Sequence, residues 1–282
     1  MNDTSTRQAD ATQRALAGAI RSRRYGAWYV AEHRIRSMGS YKQTLIATSI
    51  GNPLIYLFAL GIGLATLVDR NLGAGAMAGV SYLAFVAPAL LGLAAVMVAA
   101  VEFTYPIMLG FKWNPIFFGM NASPVTGTQV ANGIVISVLV RMIPTCLVYF
   151  AVMLLFGAVV SPLGVLMVPV AVLAAMSIGI AIMAYTARIE QDKGQMAMIM
   201  RFGITPLLLF SGTFFPLAQL PVYLQWIGWI SPLWHSTELG RVLNYGLAEP
   251  LWLSVAHIAY PVAIIVVCLR VSQHVFVRRL SR

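Results

Sequence analysis

Long apolar stretches without a charge are the feature that most constrains this chain. Several of them reach about 20 residues, the length that an α-helix needs to cross roughly 30 Å of hydrocarbon. Only 10% of the residues are charged and 59% are hydrophobic, whereas a soluble domain has about 25% charged residues. The chain is therefore predicted to be an all-α integral membrane protein with a single domain.

The apolar runs predict six transmembrane helices within a domain of residues 43–277. Their predicted bounds are residues 44–68, 82–101, 129–156, 163–187, 196–214 and 253–277. Residues 157–162 carry no charge, which predicts a tight outer turn. The polar string RIEQDKGQ at residues 188–195 predicts a cytoplasmic connection.

The basic residues predict the orientation of the chain. Of the 19 Lys and Arg residues, eight lie in the first 42 positions and three in the last five, and the net charge is +10. The loops predicted to lie outside carry only Arg70 and Arg241. Because Lys and Arg accumulate in cytoplasmic loops, both termini are predicted to be cytoplasmic, including residues 278–282. The charge is therefore interpreted as a topology signal, and no nucleic-acid partner is expected.

The N-terminal region is predicted to contain a polar tail and an amphipathic helix. Residues 1–24 have no apolar core of the kind found in a cleavable signal peptide. Residues 25–42 place aromatic and apolar side chains at helical spacing, which predicts a helix at the inner membrane surface. Trp28, Arg34 and Arg36 are its predicted interfacial residues. An ordinary solvated helix before the first span is the alternative.

Two proline-rich segments separate predicted spans. Residues 102–128 are too interrupted to cross the membrane and too apolar to form a free linker, so they are predicted to pack against the rest of the protein. Residues 215–251 combine prolines with three tryptophans, which predicts short helices at a membrane interface.

No catalytic, metal-binding or nucleotide-binding motif occurs. The sequence contains no GxxxxGK[ST], GxSxG or HExxH string, and its four histidines are scattered along the chain: His33, His235, His257 and His274. Cys146 and Cys268 lie inside apolar runs. This chain is thus expected to have no catalytic residue, metal or cofactor of its own, and any ATP must bind to another chain. The predicted spans hold no carboxylate except Glu102 at an edge, which disfavours an ion-coupled carrier.

Arg141 and Arg201 fall within predicted spans, where a charge at the centre costs about 3 kcal/mol on insertion scales. Both could line a substrate path and meet an anionic head group. Arg201 lies about one turn into its span and could instead reach the cytoplasmic surface. Arg141 is predicted to lie deeper, which favours a functional role or a pairing between helices.

Five strings occur in an order that resembles ABC type-2 exporter permeases. They are NPLIYLFALGIGL (52–64), EFTY (102–105), NASPV (121–125), FSGTFFPLAQLP (210–221) and ISPLWHSTELGR (230–241). The string FSGTFFPL is the most specific of them. The resemblance is closest to the nodulation lipo-oligosaccharide exporter permeases, and the daunorubicin-resistance permeases share the plan more loosely.

The resemblance implies six helices per subunit, with an N-terminal interfacial helix, a cytoplasmic coupling helix and external re-entrant helices. It implies two permeases, identical or related, and two ATPase subunits that bind ATP and Mg²⁺. Closure of the ATPases would push the coupling helices and alter a cavity between the permeases. The implied cargo is an amphipathic or lipid-linked molecule, such as a glycolipid, lipo-oligosaccharide, polysaccharide precursor or hydrophobic drug, exported across a bacterial plasma (inner) membrane.

The resemblance also implies two groups of site residues. Contacts with the ATPase are expected from Glu102, Thr104, Tyr105, Phe111, Lys112, Trp113, Ser123 and Pro124. The translocation path is expected to include Phe210, Ser211, Thr213, Phe214 and Phe215, together with Arg141 and Arg201, which are singled out by their position in predicted spans. In the family this loop usually carries more charge, but residues 110–125 of this chain have only one charged residue, Lys112. The ATPase contact is therefore expected to be largely apolar. Membrane anchoring by residues 111–113 and simple packing by residues 210–215 are the alternatives.

Two other classes of function stay open. A membrane scaffold could bind an ATPase without forming a translocation path. An intramembrane lipid-modifying enzyme would act without an ATPase. Copurification of an ATPase subunit and stimulated ATP hydrolysis would favour the exporter.

Overall fold

Helices are the only regular elements in the part of the chain that the structure describes. The structure, a computed structural model, describes residues 2–65 and 80–282. The predicted outer loop that carries Arg70 lies outside the described residues.

The helices follow one another with short connections. In chain order they are α1 (Asn2–Met38), α2 (Lys42–Phe58), α3 (Tyr82–Glu102), α4 (Tyr105–Met108), α5 (Ile116–Asn121), α6 (Gly127–Leu155), α7 (Met167–Thr186), α8 (Gln195–Met198), α9 (Thr205–Phe210), α10 (Val222–Trp229), α11 (Pro232–Tyr245) and α12 (Leu251–Leu280). The π-helical stretches Ala59–Leu64, Leu109–Trp113 and Ile199–Ile204 extend α2, α4 and α8. The 3-10 turns Gly39–Tyr41, Pro162–Leu166 and Leu217–Gln219 precede α2, α7 and α10.

Four of the described helices are long and apolar enough to cross a membrane. They are Tyr82–Trp113, Gly127–Leu155, Pro162–Thr186 and Leu251–Leu280, and a shorter apolar helix covers Gln195–Phe210. The prediction of an all-helical membrane protein is confirmed. Part of the first predicted span corresponds to α2 and its extension, and residues 66–68 of that span lie outside the described residues. The count of six spans therefore stays a prediction.

Side-chain caps set where α3 and α6 begin. The hydroxyl of Ser81 accepts a hydrogen bond from the Ala84 amide at 3.3 Å. Thr126 and Gln129 form a reciprocal capping box, in which the Thr126 amide donates to Gln129 Oε1 at 3.0 Å and the Gln129 amide donates to the Thr126 hydroxyl at 3.3 Å. Such caps satisfy the free amides of a first helical turn.

The long helices run between two ends of the molecule. At what we call the basic end, Arg279 near the end of α12 donates to the carbonyl of Ala187, just after α7, at 2.7 Å. At the distal end, Asn244 of α11 donates to the carbonyls of Ala84 and Ala158 at 3.1 and 3.0 Å. Since Ala84 lies near the start of α3 and Ala158 follows α6, α3 and α6 run in opposite directions, whereas α7 and α12 both end at the basic end.

Helix α3 occupies the centre of the bundle and α12 lies at its periphery. Glycines allow close approach to α3 and the turn after it. A Cβ at Gly179 of α7 would lie 2.4 Å from the ring of Phe103, and one at Gly240 of α11 would lie 2.7 Å from Pro88. Small residues have this role at many membrane helix interfaces.

Helix α1 changes direction at Tyr25, whose φ of −113° and ψ of 16° are not helical. The predicted interfacial helix begins at this kink, and the predicted tail before it is also helical from Asn2 onward. Beyond the kink, α1 packs along the first half of α6, and a Cβ at Gly133 would lie 2.5 Å from the carbonyl oxygen of Ala27. A position at a membrane surface stays a prediction.

The three predicted interfacial residues separate into two environments. Trp28 is 52% exposed. Arg36 is exposed and donates to Glu32 at 2.5 Å on the same helix. Arg34, in contrast, is buried. Only Trp28 and Arg36 are therefore available to a surface outside this chain.

Candidate functional site: the coupling segment and a buried charge cluster

Residues 102–128, which we call the coupling segment, form a compact structure at the basic end. Helix α3 ends at Glu102, and the Thr104 hydroxyl donates to the carbonyl of Ala100. Pro106 lies in the first turn of α4, a position where the missing amide is tolerated. Gly110 is required at the next turn, because a Cβ there would lie 2.3 Å from the ring of Phe117.

An aromatic cluster fastens the coupling segment to the last helix. The ring centroid of Phe111 lies 5.0 Å from that of Phe117 and 4.8 Å from that of Phe276 on α12. The guanidinium of Arg279 lies 4.1 Å above the Phe111 ring, a cation–π geometry. The prediction that this segment packs against the rest of the protein is confirmed. Because the segment contacts Phe276 and Arg279, a displacement of the segment would also displace the end of α12.

The predicted ATPase-contacting residues divide by exposure. Tyr105, Lys112, Trp113, Ser123 and Pro124 are exposed, whereas Glu102, Thr104 and Phe111 are buried. The buried three cannot touch a partner in this conformation and instead hold the segment in place. Exposed apolar side chains on the same segment, which were not singled out from the sequence, are Leu109 and Phe118.

A buried charge cluster joins three parts of the chain. Glu102 at the end of α3 accepts from Arg34 Nη2 of α1 at 2.8 Å through Oε2 and from Arg141 Nη1 of α6 through Oε1. Glu102 is 2% exposed and Arg34 is 9% exposed. Burial lowers the pKa of Arg34 from its usual value, and the charge of Glu102 opposes that shift. The coupling segment is thus tied by charge to both α1 and α6.

The length of α6 and its packing determine which residues lie level with Arg141. Helix α6 has 29 residues and is about 43 Å long at roughly 1.5 Å per residue, more than the roughly 30 Å of hydrocarbon. Its first turns pack against α1, so Arg141 lies level with Glu102, the last residue of α3. The depth of Arg141 in the membrane stays a prediction. The inter-helix pairing considered for it is present.

Arg141 lies between two cavities. A groove of about 300 Å³ runs between α2 and α6 beside the end of α1, and a second cavity of about 390 Å³ is lined by α2, α3, α6 and Leu208. Ser49, Arg141 and Thr145 line both. A further cavity of about 290 Å³ separates α1 from the coupling segment and has Arg34 and Glu102 in its wall. The charge cluster thus adjoins space on both sides.

The remaining predicted path residues are not brought to the charge cluster. Arg201 lies in the π-helical stretch Ile199–Ile204 and is exposed. Ser211 and Thr213 are fully buried, and the Ser211 hydroxyl lies 2.6 Å from that of Ser231. These positions favour packing for the two buried residues. The half-buried side chains in this stretch are Phe210, Phe214 and Phe215.

Arg241 organises the distal end around the FSGTFF string. Its Nη2 donates to the carbonyl of Gly212 at 2.7 Å and its Nε to the carbonyl of Phe85 at 3.3 Å. Its Nη1 pairs with Glu238 at 2.6 Å. Gly212 has a φ of +68°, which a glycine adopts without strain. From the sequence, Arg241 is an outer-loop charge at the end of the string ISPLWHSTELGR, and none of these contacts is predicted.

Two histidines that lie 22 residues apart meet at the distal end. Nδ1 of His235 is 2.7 Å from Nδ1 of His257, whose Nε2 is 3.2 Å from Glu249 Oε2. His235 Nε2 is 3.0 Å from the carbonyl of Trp229. Burial, followed by the charge of His257, lowers the pKa of His235 to about 4. Nothing in the spacing of the histidines predicts this contact.

Comparison with known proteins places the chain among transporters. A family model described as ABC-2 type transporter matches residues 26–245. The nodulation protein J of Rhizobium leguminosarum bv. viciae is 29% identical over 253 residues, covering 88% of this chain and 93% of that protein. The nodulation protein J of Rhizobium meliloti (strain 1021) is 28% identical over 216 residues, covering 75% and 79%. The resemblance stated from the sequence is confirmed.

Proposed function

We propose a function from the premise that this chain belongs to the ABC-2 type transporter family and is a multi-pass membrane subunit of such a transporter. The chain works with a separate ATPase in an ATP-driven exporter. The observation that carries the proposal is the coupling segment. Its exposed face presents Tyr105, Lys112 and Trp113, while its buried face is fixed to α12 and to the charge cluster. A surface of this kind can transmit force from a partner into the membrane helices.

The proposed complex contains two ATPase subunits and two permeases, the second permease being identical to this chain or related to it. ATP and Mg²⁺ bind to the ATPase subunits, and this chain supplies neither catalytic residues nor metal ligands. Both termini and the coupling segment lie on the cytoplasmic side of a bacterial plasma (inner) membrane in this proposal. The concentration of Lys and Arg at the two ends of the sequence supports that orientation.

The proposed coupling route runs from the ATPase to Glu102. Closure of the ATPases displaces the exposed face around Trp113, and the rigid Phe111 cluster transmits this displacement to α12. Glu102 transmits it to α1 through Arg34 and to α6 through Arg141. The cavity of about 290 Å³ between α1 and the coupling segment leaves room for such a shift.

The proposed cargo is an amphipathic or lipid-linked molecule. The groove between α2 and α6 supports this class, because eight of its twelve lining residues are apolar and the others are polar or charged. The names of the nodulation relatives do not state a cargo, so glycolipids, lipo-oligosaccharides, polysaccharide precursors and hydrophobic drugs all stay within the proposal.

The double substitution Lys112→Glu and Trp113→Ala tests the docking face. Both side chains are exposed, and Trp113 is 50% exposed, so the fold should survive the change. We expect the ATPase subunit to be lost from the purified complex by at least about tenfold, since interface tryptophans often contribute 2 kcal/mol or more. The measurement is the ATPase-to-permease ratio after affinity purification from membranes.

Lys193→Glu is the matched control, because Lys193 is also exposed and lies in the other polar segment predicted to be cytoplasmic. It should leave the ratio unchanged. Equal ATPase retention by the double variant and the wild-type chain would contradict the docking assignment. Retention of the ATPase together with an unchanged rate of ATP hydrolysis in liposomes would instead favour the scaffold.

A further inference from the structure

The groove between α2 and α6 has walls suited to an acyl chain. It has a volume of about 300 Å³. Its apolar lining includes Ile35, Leu45, Ile46, Val140, Pro144 and Val148. Burying methylene groups against such walls is favourable because it removes them from water. A hydrocarbon chain is therefore a fitting occupant of the long part of this groove.

The charged groups of the groove are all positive. Lys42 and Arg141 line it, and no carboxylate does so among the residues that the structure describes. Arg141 shares its one carboxylate partner, Glu102, with Arg34. The cluster of two guanidinium groups and one carboxylate therefore carries a net charge of +1, and Lys42 adds to it. One end of the groove thus has an excess of positive charge that an anion would neutralise.

The two cations lie where lipid headgroups are expected. Lys42 is the first residue of α2, just before the predicted start of the first span at residue 44, and Arg141 lies level with the end of α3 at Glu102. Lys and Arg at helix ends commonly extend to the headgroup region. Guanidinium groups also form strong paired hydrogen bonds with phosphate oxygens.

We propose that this groove binds a membrane lipid with an anionic, phosphate-bearing headgroup. The phosphate lies between Lys42 and Arg141, and one acyl chain follows the apolar walls between α2 and α6. Because phosphate and Glu102 both attract Arg141, occupancy of the site changes the balance of the charge cluster. The site requires only a membrane-embedded chain, so its failure would leave the ATP-driven export proposal standing.

Lipid retention by the purified chain tests the charged part of the site. The chain is equilibrated in micelles that contain equal amounts of phosphatidylglycerol and phosphatidylcholine, and bound lipid is counted by native mass spectrometry. The wild-type chain should retain phosphatidylglycerol preferentially. Lys42→Gln should lower that preference about fivefold, because one Lys near an anionic headgroup contributes about 1 kcal/mol.

Arg270→Gln is the matched control for charge. Arg270 is exposed on α12 and does not line the groove, so its loss should leave the preference unchanged. Equal losses in the Lys42→Gln and Arg270→Gln variants would show a general attraction of anionic lipid to a basic surface and would overturn the proposal.

Filling the groove tests the acyl-chain part without changing a charge. Val148→Trp should reduce retained phosphatidylglycerol severalfold, whereas Leu155→Trp on the same helix should not, because Leu155 is 83% exposed and lies outside the groove. Soluble glycerol 3-phosphate should fail to displace the bound lipid. Full displacement by it, or an undiminished lipid count in Val148→Trp, would contradict a lipid site.

Discussion

Replacing Glu102 with glutamine should destabilise the protein by about 3 to 5 kcal/mol, the usual effect of removing one partner from a buried ion pair. Glu102 is 2% exposed and is the carboxylate that both Arg34 and Arg141 contact. Without it, the buried guanidinium of Arg34 and the partly buried guanidinium of Arg141 repel each other with no carboxylate between them. We expect a clear fall in the melting temperature of the detergent-purified protein, measured by size-exclusion chromatography after heating.

Two further variants separate the charge effect from the loss of a side chain. Glu102→Gln combined with Arg141→Gln removes one of the opposing cations and should recover part of the lost stability. Glu190→Gln should have little effect, because Glu190 and Arg282 are both largely exposed although their charged atoms are 3.0 Å apart. A melting temperature of Glu102→Gln equal to that of Glu190→Gln would contradict the structural role of the cluster.

Replacing Arg241 with methionine should have an effect of similar size at the distal end, again about 3 to 5 kcal/mol. Methionine keeps most of the alkyl chain but leaves the carbonyls of Phe85 and Gly212 and the carboxylate of Glu238 without this donor. Arg241 is only 1% exposed, so water cannot easily replace it. The expected result is a low yield of monodisperse protein and a reduced melting temperature.

Glu238→Gln is the control for the Arg241 variant. Glutamine keeps an oxygen that can accept from Arg241, and the side chain of Glu238 is 17% exposed, so the change should be small. Arg241→Lys should be intermediate, since an ammonium group cannot reach three acceptors in the fork geometry of a guanidinium. Normal stability of Arg241→Met would contradict the assignment of this residue as the centre of the FSGTFF region.

The helices of this fold could be predicted well because apolar runs are a local signal. The predicted spans at residues 82–101, 129–156, 163–187 and 253–277 each correspond to a described helix that is long enough to cross a membrane. Burial in hydrocarbon requires each of these segments to satisfy its own backbone hydrogen bonds, whatever the rest of the chain does. Local composition therefore determines where each membrane-spanning helix forms.

The charge cluster could not be predicted because it depends on contacts far apart in the sequence. Arg34 and Arg141 are 68 and 39 residues from Glu102, and the sequence places the three residues in three different predicted roles. They meet because α1 packs along α6 through Gly26 and Gly133. The same packing places Arg141 level with Glu102, since the first turns of α6 lie against α1.

Side-chain exposure was the other property that sequence patterns did not supply. Phe111 and Lys112 are neighbours and were assigned the same contact, but Phe111 is 4% exposed whereas Lys112 is exposed. A π-helical turn at Leu109–Trp113 and the position of Phe276 on the distant α12 decide which side chain faces inward. The contact between His235 and His257 likewise depends on how distant helices pack, and no sequence motif links the two residues.

The most direct test of the central claim is the rate of ATP hydrolysis by the cognate ABC ATPase subunit, measured in liposomes with and without this chain. An exporter permease should copurify with the ATPase and change its rate of hydrolysis, and the Lys112→Glu and Trp113→Ala double variant should abolish both effects. A wild-type chain that neither binds the ATPase nor alters its hydrolysis rate would contradict the account.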